Sequence, residues 1–140
     1  MTKYDAPDNA RKPHTVMVVE DEVLIAIDLK LQIEALGYKV AGPFHKVETS
    51  LAYLETEFPD MAVLDFNLNR KETSKAIADR LVGQGIPVTF LSGYAATNLI
   101  EQSRTGSVEV LSKPVTQIGL KTSLERMGQI LVGNCIKKMQ

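Results

Sequence analysis

Short apolar runs rich in valine, leucine and methionine alternate along the chain with longer segments in which apolar residues recur at helical spacing. Five of these runs predict strands, at residues 15–19, 38–41, 61–64, 87–91 and 108–111. Nearly continuous apolar strands between helices are typical of a parallel sheet covered by helices on both faces. The pattern therefore predicts an α/β fold.

Helical patterns fill most of the intervals between these strands. The predicted helices span residues 23–36, residues 47–58, the segment from a polar loop at 67–71 to about residue 82, and the segment after Val115. Their predicted buried faces are Val47, Leu51, Leu54 and Phe58, then Ile77, Ala78 and Leu81, and finally Leu120, Leu124, Met127 and Leu131. Pro59 is expected to end the second helix, and Gly42-Pro43 to close the second strand. A short, poorly patterned helix is expected over 95–106.

The chain of 140 residues has the usual size of one domain. Residues 1–13 mix charged and small residues with prolines and show no apolar period, which predicts a flexible leader. We predict one domain over 14–133 and a C-terminal tail over 134–140. Only one helix and a short tail fit after Pro114, so no effector domain is expected to follow.

Composition and charge argue against several classes of function. Lys plus Arg number 16 and Asp plus Glu number 17, so the strong positive field of nucleic-acid-binding proteins is not expected. The single cysteine, Cys135, cannot form an internal disulfide, and no signal peptide opens the chain, which favours a cytoplasmic protein. Apolar runs are shorter than the roughly 20 residues that a membrane span needs.

Reactive side chains lie at the carboxyl ends of the predicted strands. Glu20 and Asp21 follow the first strand, Asp65 the third, Ser92 the fourth and Lys113 the fifth. Singly, each has a structural explanation, as a helix cap, a solvated first turn, a turn residue or a surface lysine. Because the carboxyl ends of parallel strands face one crevice where ligands bind, their coincidence favours a functional site.

Three carboxylates in one crevice repel one another and need a cation. Ligation by oxygen alone favours Mg²⁺, with Mn²⁺ as the alternative. A carboxylate that accepts a phosphoryl group also needs a fixed cation and a hydrogen-bond donor, which Lys113 and Ser92 would supply.

Four segments, in this order, resemble the signature of the response regulator receiver domains of bacterial two-component systems. They are Val-Val-Glu-Asp-Glu at 18–22, Pro-Asp-Met-Ala-Val-Leu-Asp at 59–65, Phe-Leu-Ser-Gly-Tyr at 90–94 and Leu-Ser-Lys-Pro at 111–114. The resemblance covers residues 15–132. It implies a flavodoxin-like, doubly wound (βα)5 fold whose five parallel strands lie in the order 2-1-3-4-5.

The resemblance also implies a role for each site residue. Asp65 would be the phospho-acceptor, and Mg²⁺ would bind Glu20, Asp21, Asp65 and the backbone carbonyl of Asn67. Ser92 would donate to the phosphoryl group, Gly93 would leave room for it and Lys113 would pair with its charge. The phosphoryl donor would be a sensor histidine kinase or a histidine phosphotransfer protein.

Two positions depart from the common pattern of the family. Many receivers carry a switch aromatic where this chain has Val110, and an aspartate is more common than Glu20. The segment ending in Tyr94 partially matches the FAT GUY subgroup of single-domain receivers, which lacks the switch aromatic. Tyr94 has two open interpretations, packing over the next helix or switching.

We therefore expect a single-domain response regulator that is not an enzyme beyond its own phosphorylation and dephosphorylation. Output would pass through a partner protein, through dimerisation or through a role as a phosphate sink, and the chain is expected to be a monomer or a phosphorylation-dependent homodimer. One alternative is a haloacid-dehalogenase-like phosphatase. Such enzymes carry Asp-x-Asp at the nucleophile, and this chain has Asn67 in place of the second aspartate. Another is a scaffold that never turns over phosphate. His14 and His45 fall outside the predicted crevice and are predicted to be solvated loop residues.

Overall fold

The computed structural model of the protein describes residues 13–69, 72–93 and 107–139. Within these ranges five parallel strands form one sheet in the order β2-β1-β3-β4-β5. The strands are β1 (Thr15–Val19), β2 (Lys39–Phe44), β3 (Met61–Asp65), β4 (Val88–Ser92) and β5 (Val108–Ser112). The helices in the described ranges are α1 (Val23–Ala35), α2 (Val47–Tyr53), α3 (Lys75–Val82) and α4 (Gln117–Met139). The predicted fold class and strand order are confirmed.

The sheet carries a hydrophobic cluster on each face. Successive residues of a strand point to opposite faces, so Met17 and Val19 pack with α3 in one cluster, whereas Val16 and Val18 pack with α1 and α4 in the other. Each cluster contains its own buried helix residues. The first includes Ile77, Ala78 and Leu81, and the second includes Leu29, Ile33, Leu120, Leu124 and Met127. The predicted buried faces of α3 and α4 are confirmed at these positions, and Leu131 is half-buried.

The prediction that Gly42-Pro43 closes the second strand is wrong, because β2 continues to Phe44. Since β2 lies at the edge of the sheet, the missing N–H of Pro43 costs little there. Gly42 has a φ of 97°, and a Cβ at this position would lie 2.7 Å from Phe44. The pairing of β1 with β2 shifts register between Met17 and Val19. As a result, Phe44 and the residue after it lie beside the end of β1.

The second helix is shorter than predicted, because α2 ends at Tyr53 and Phe58 is 52 % exposed. The backbone N–H groups of Glu55 and Thr56 bond to carbonyls three residues earlier, which tightens the chain and ends the helix. Pro59 disfavours a helical conformation at the residue before it. The predicted buried position of Phe58 is therefore wrong, although Leu54 is buried as expected.

The last helix begins at Gln117 and continues through Met139. It thus includes most of the segment predicted as a tail, and the domain boundaries at 13/14 and 133/134 stay predictions. Tyr94, residues 1–12 of the predicted leader and the predicted helix over 95–106 lie outside the described residues. Among the described helices, none has both the length and the apolar character that a membrane span requires.

A buried polar connection joins β4, β5 and α4. The hydroxyls of Thr89 and Ser123 are 2.5 Å apart, and both residues are fully buried. Ser123 donates to Glu109 Oε1 at 2.9 Å, and the guanidinium of Arg126 pairs with the other oxygen of that carboxylate. Because the single proton of Ser123 goes to Glu109, Thr89 donates to Ser123. The connection satisfies two hydroxyls that would otherwise be costly to bury.

Candidate functional site

Four of the predicted site residues lie at the same rim of the sheet. Glu20 follows β1, Asp65 ends β3, Ser92 ends β4 and Lys113 follows β5. The backbone N–H of Lys113 donates to the carbonyl of Ser92 at 2.8 Å, which aligns the ends of β4 and β5. The parallel arrangement therefore brings together residues that are up to 93 positions apart in sequence.

Lys113 is in direct contact with two of the carboxylates. Its Nζ lies 3.0 Å from Asp65 Oδ1 and 3.4 Å from Glu20 Oε1. Glu20 is fully buried and Asp65 is 5 % exposed. One carboxylate oxygen from each of Glu20, Asp21 and Asp65 lies within 4.8 Å of the others. This is an oxygen cluster of the kind that binds Mg²⁺ or Mn²⁺.

Burial disfavours the charged forms of the two innermost carboxylates, Glu20 and Asp65. Burial raises the pKa of Glu20 from 4.5 to about 7; the N–H of Glu22 partly opposes this rise and the charge of Asp65 adds to it. Burial also raises the pKa of Asp65, although Lys113 opposes the rise. Burial alone would lower the pKa of Lys113, but its contacts with Asp65 and Glu20 outweigh burial and raise it. The single ammonium of Lys113 does not offset the effect of burial on the two carboxylates. A second cation would stabilise their charged forms, and the oxygen donors fit a divalent metal.

The remaining predicted residues lie around this cluster. Asn67 is exposed and forms an isolated bridge with Thr73 in the loop after β3. Gly93 is exposed, and a Cβ built on it meets no atom of the described residues within 4 Å. Gly93 and Lys113 line a cavity of about 510 Å³ between α1 and the segment after β5. Val110 is half-buried and packs against the core. Tyr94 lies outside the described residues.

His45 is the residue that the sequence interpretation missed. It is half-buried, not a solvated loop residue, and its Nδ1 lies 2.8 Å from the backbone carbonyl oxygen of Glu20. A longer predicted β2 would have placed it beside Glu20, because the ends of neighbouring parallel strands are adjacent. His14, in contrast, lies 3.7 Å from Asp60 at the opposite rim of the sheet.

The raised pKa of Glu20 predicts that the metal-free protein loses stability as the pH rises. A carboxyl whose pKa is higher in the folded state than in the unfolded state contributes stability below pH 4.5, and this contribution disappears as the pH passes about 7. Asp65 acts in the same direction, whereas Lys113 titrates too high to matter in this range. We expect a loss of about 1–3 kcal/mol between about pH 5 and about pH 8, or a decrease of roughly 5–10 °C in Tm.

Thermal unfolding in a chelator at several pH values would measure this decrease. Glu20→Gln should flatten the pH dependence, since the amide does not titrate. Glu34→Gln, at an exposed carboxylate paired with Lys30, is the matched control and should retain the pH dependence of wild type. A metal-free Tm that increases steadily from about pH 5 to about pH 8 would contradict the buried position of Glu20.

Comparisons with known proteins agree on one family. The family model described as "Response regulator receiver domain" matches residues 16–125. The transcriptional regulatory protein PdtaR of Mycobacterium tuberculosis is 25 % identical over 126 residues, which cover 89 % of this chain and 62 % of PdtaR. The chain thus spans about three fifths of the length of this relative.

Solved structures show the same similarity. The solution structure of SdrG from Sphingomonas melonis is 33 % identical, with a TM-score of 0.67, and the match covers 83 % of this chain and 97 % of SdrG. The signal receiver domain of a modulated diguanylate cyclase from Desulfovibrio desulfuricans is 27 % identical, with a TM-score of 0.74, and the match covers 87 % and 98 % of the two chains.

Proposed function

The chain belongs to the response regulator receiver domain family, and from this membership we propose that it is a phosphorylation switch in which Asp65 accepts a phosphoryl group. The observation that carries the proposal is the position of Asp65: it ends β3, is nearly buried, lies within an acidic oxygen cluster and is paired with Lys113. Such a carboxylate is held in one place and faces a cation that can stabilise added negative charge.

The proposed reaction is phosphoryl transfer from a phosphohistidine of a sensor kinase or of a phosphotransfer protein. An Asp65 oxygen attacks phosphorus in line with the leaving imidazole; the new O–P bond forms as the N–P bond breaks, and the imidazole nitrogen leaves with the electron pair. Lys113 then pairs with a phosphoryl oxygen, Ser92 donates its hydroxyl to another, and Gly93 leaves space for the group. The chain positions the reactants and offsets their charge.

The proposed metal ligands are Glu20, Asp21, Asp65 and the backbone carbonyl of Asn67. Mg²⁺ held there, or Mn²⁺ in its place, would neutralise the carboxylates and lower the repulsion between Asp65 and an incoming phosphoryl group. The full burial of Glu20, which raises its pKa to about 7, supports this assignment, because a buried carboxylate beside Asp65 stays charged more readily when a metal ion offsets its charge.

The proposal extends to a cytoplasmic regulator of the FAT GUY subgroup. Val110 supports the subgroup, because an aliphatic residue packed against the core occupies the position at which many receivers carry the switch aromatic. Output would then pass through a partner protein, through a homodimer, or through competition for phosphoryl groups.

Incubation of the protein with acetyl phosphate tests the proposal. With Mg²⁺ present, intact-mass measurement should show the addition of one phosphoryl group, and hydroxylamine should remove it, because an acyl phosphate is attacked by that nucleophile. With excess chelator the addition should be strongly reduced. Sustained release of phosphate from p-nitrophenyl phosphate would instead favour the phosphatase, and an unchanged mass with both acetyl phosphate and phosphoramidate would favour the scaffold.

A further inference from the structure

We propose that His45 is a positioning residue for the metal site: its ring holds the peptide unit that joins Glu20 to Asp21 in the orientation that metal binding requires. The inference rests on the proposed function, since it concerns the ligands of the proposed Mg²⁺ site. It is carried by the contact between His45 Nδ1 and the Glu20 carbonyl oxygen, at 2.8 Å.

The chemistry of this contact defines the donor. A backbone carbonyl oxygen only accepts hydrogen bonds, so the proton must lie on Nδ1 of His45. The neutral Nδ1–H tautomer and the imidazolium both satisfy this requirement, whereas the Nε2–H tautomer would place two lone pairs against each other. The contact therefore does not depend on whether the ring is charged.

The carbonyl of Glu20 belongs to the same planar unit as the N–H and Cα of Asp21. A hydrogen bond to that oxygen fixes the orientation of the peptide plane, and therefore the position of the Asp21 Cα from which the side chain extends. On the other side of the Glu20 Cα, its N–H donates to the Phe44 carbonyl at 2.9 Å. Both backbone polar groups of Glu20 are thus bound by two consecutive residues at the end of β2, and the backbone that carries two proposed ligands cannot rotate freely.

The end of β2 is itself well held. The ring of Phe44 packs on Tyr53 of α2 with their centroids 5.0 Å apart. Gly42 permits the close approach of Phe44, because any larger residue would place a Cβ 2.7 Å from it. His45 follows directly on this segment, so the backbone that carries its ring begins at a well-held point. Groups that orient metal ligands in this indirect way commonly change metal affinity by a factor of 10 or more when they are removed.

Three substitutions at position 45 distinguish a hydrogen-bond donor from a space-filling ring. His45→Asn keeps an N–H donor at the position of Nδ1, His45→Gln moves the donor towards the position of Nε2, and His45→Phe keeps a ring without a donor. We expect the Phe and Gln variants to bind Mg²⁺ about 10-fold more weakly than wild type, and the Asn variant to stay within about 3-fold. Isothermal titration of the full chain with MgCl₂ measures this.

A second measurement needs no metal. In the ¹H–¹⁵N spectrum of the metal-free protein, the Asp21 amide signal should move in the Phe and Gln variants and stay near its wild-type position in the Asn variant. A role of His45 in stability alone would lower Tm in proportion to lost packing and would not separate Asn from Gln in this signal.

The outcomes separate the two proposals. Equal Mg²⁺ affinity in all four proteins, or an Asn variant as weak as the Phe variant, would overturn the role of His45 and leave the proposed function intact. A wild type that takes up no Mg²⁺ would overturn the proposed metal site. If a variant fails to fold, the wild-type spectrum still decides: a His45 Nδ1–H signal protected from exchange supports the contact, and a ring protonated only at Nε2 overturns it.

Discussion

Asp65→Asn is expected to abolish the covalent uptake of phosphate from acetyl phosphate without lowering the stability of the fold. An amide has no anionic oxygen to attack phosphorus, so the loss should be complete within the detection limit of intact-mass measurement. Folding raises the pKa of Asp65, which means that the folded state favours an uncharged side chain at this position. The metal-free Tm at about pH 8 should therefore be at least that of wild type.

Asp79→Asn is the matched control for this change. Asp79 is exposed on α3 and pairs with Lys75, so its loss removes one negative charge from a surface ion pair and not from the acidic cluster. That variant should take up a phosphoryl group as wild type does. Continued uptake by Asp65→Asn, located by peptide mapping on another residue, would show that a different group is the acceptor.

Lys113→Met is expected to slow phosphorylation about 10²–10³-fold, the usual effect of removing one fixed donor that stabilises developing charge. The variant should bind Mg²⁺ at least as tightly as wild type at about pH 8, because the ammonium that competes with the metal for Glu20 and Asp65 is gone. Metal-free stability should fall by about 1–2 kcal/mol, since the two carboxylates lose their partner in a site that is partly open to solvent.

Acetyl phosphate kinetics and Mg²⁺ titration of the same preparations measure the two effects separately. Lys113→Arg restores the charge with a larger, planar head group and should recover only part of the rate. Lys75→Met, at an exposed lysine, should leave both quantities unchanged. A wild-type rate in Lys113→Met would exclude an essential contact between this ammonium and the phosphoryl group.

The residues of the acidic cluster could be predicted from sequence because the topology alone brings them together. Buried parallel strands have a clear apolar signature, and four of the five predicted strands lead into a reactive residue such as Asp65 or Lys113. Once the strands are parallel, their ends must share one rim. The depth of Glu20 could not be predicted in this way, since its full burial depends on how β2 and the segment after β5 close around it.

The errors arose where local signals and tertiary contacts disagree. Gly42-Pro43 has the composition of a turn, but the edge position of β2 tolerates it and the strand continues. Because the predicted second strand ended at residue 41, His45 was not expected to lie beside Glu20. Their contact depends on the continuation of β2 to Phe44. The second helix was likewise predicted to be too long. Phe58 fits the helical spacing of apolar residues, but it precedes a proline, which disfavours a helical conformation there.

The buried connection from Thr89 through Ser123 to Glu109 also limits how the molecule can move. These bonds, together with the contact of Thr89 with the sulfur of Met127 at 3.5 Å, determine the axial position of α4 relative to β4 and β5. Sliding α4 by one turn would leave two hydroxyls unpaired in the core, at a cost of about 1–3 kcal/mol each. Shear between this helix and the sheet is therefore disfavoured, and any large rearrangement should carry α4, β4 and β5 as one rigid unit.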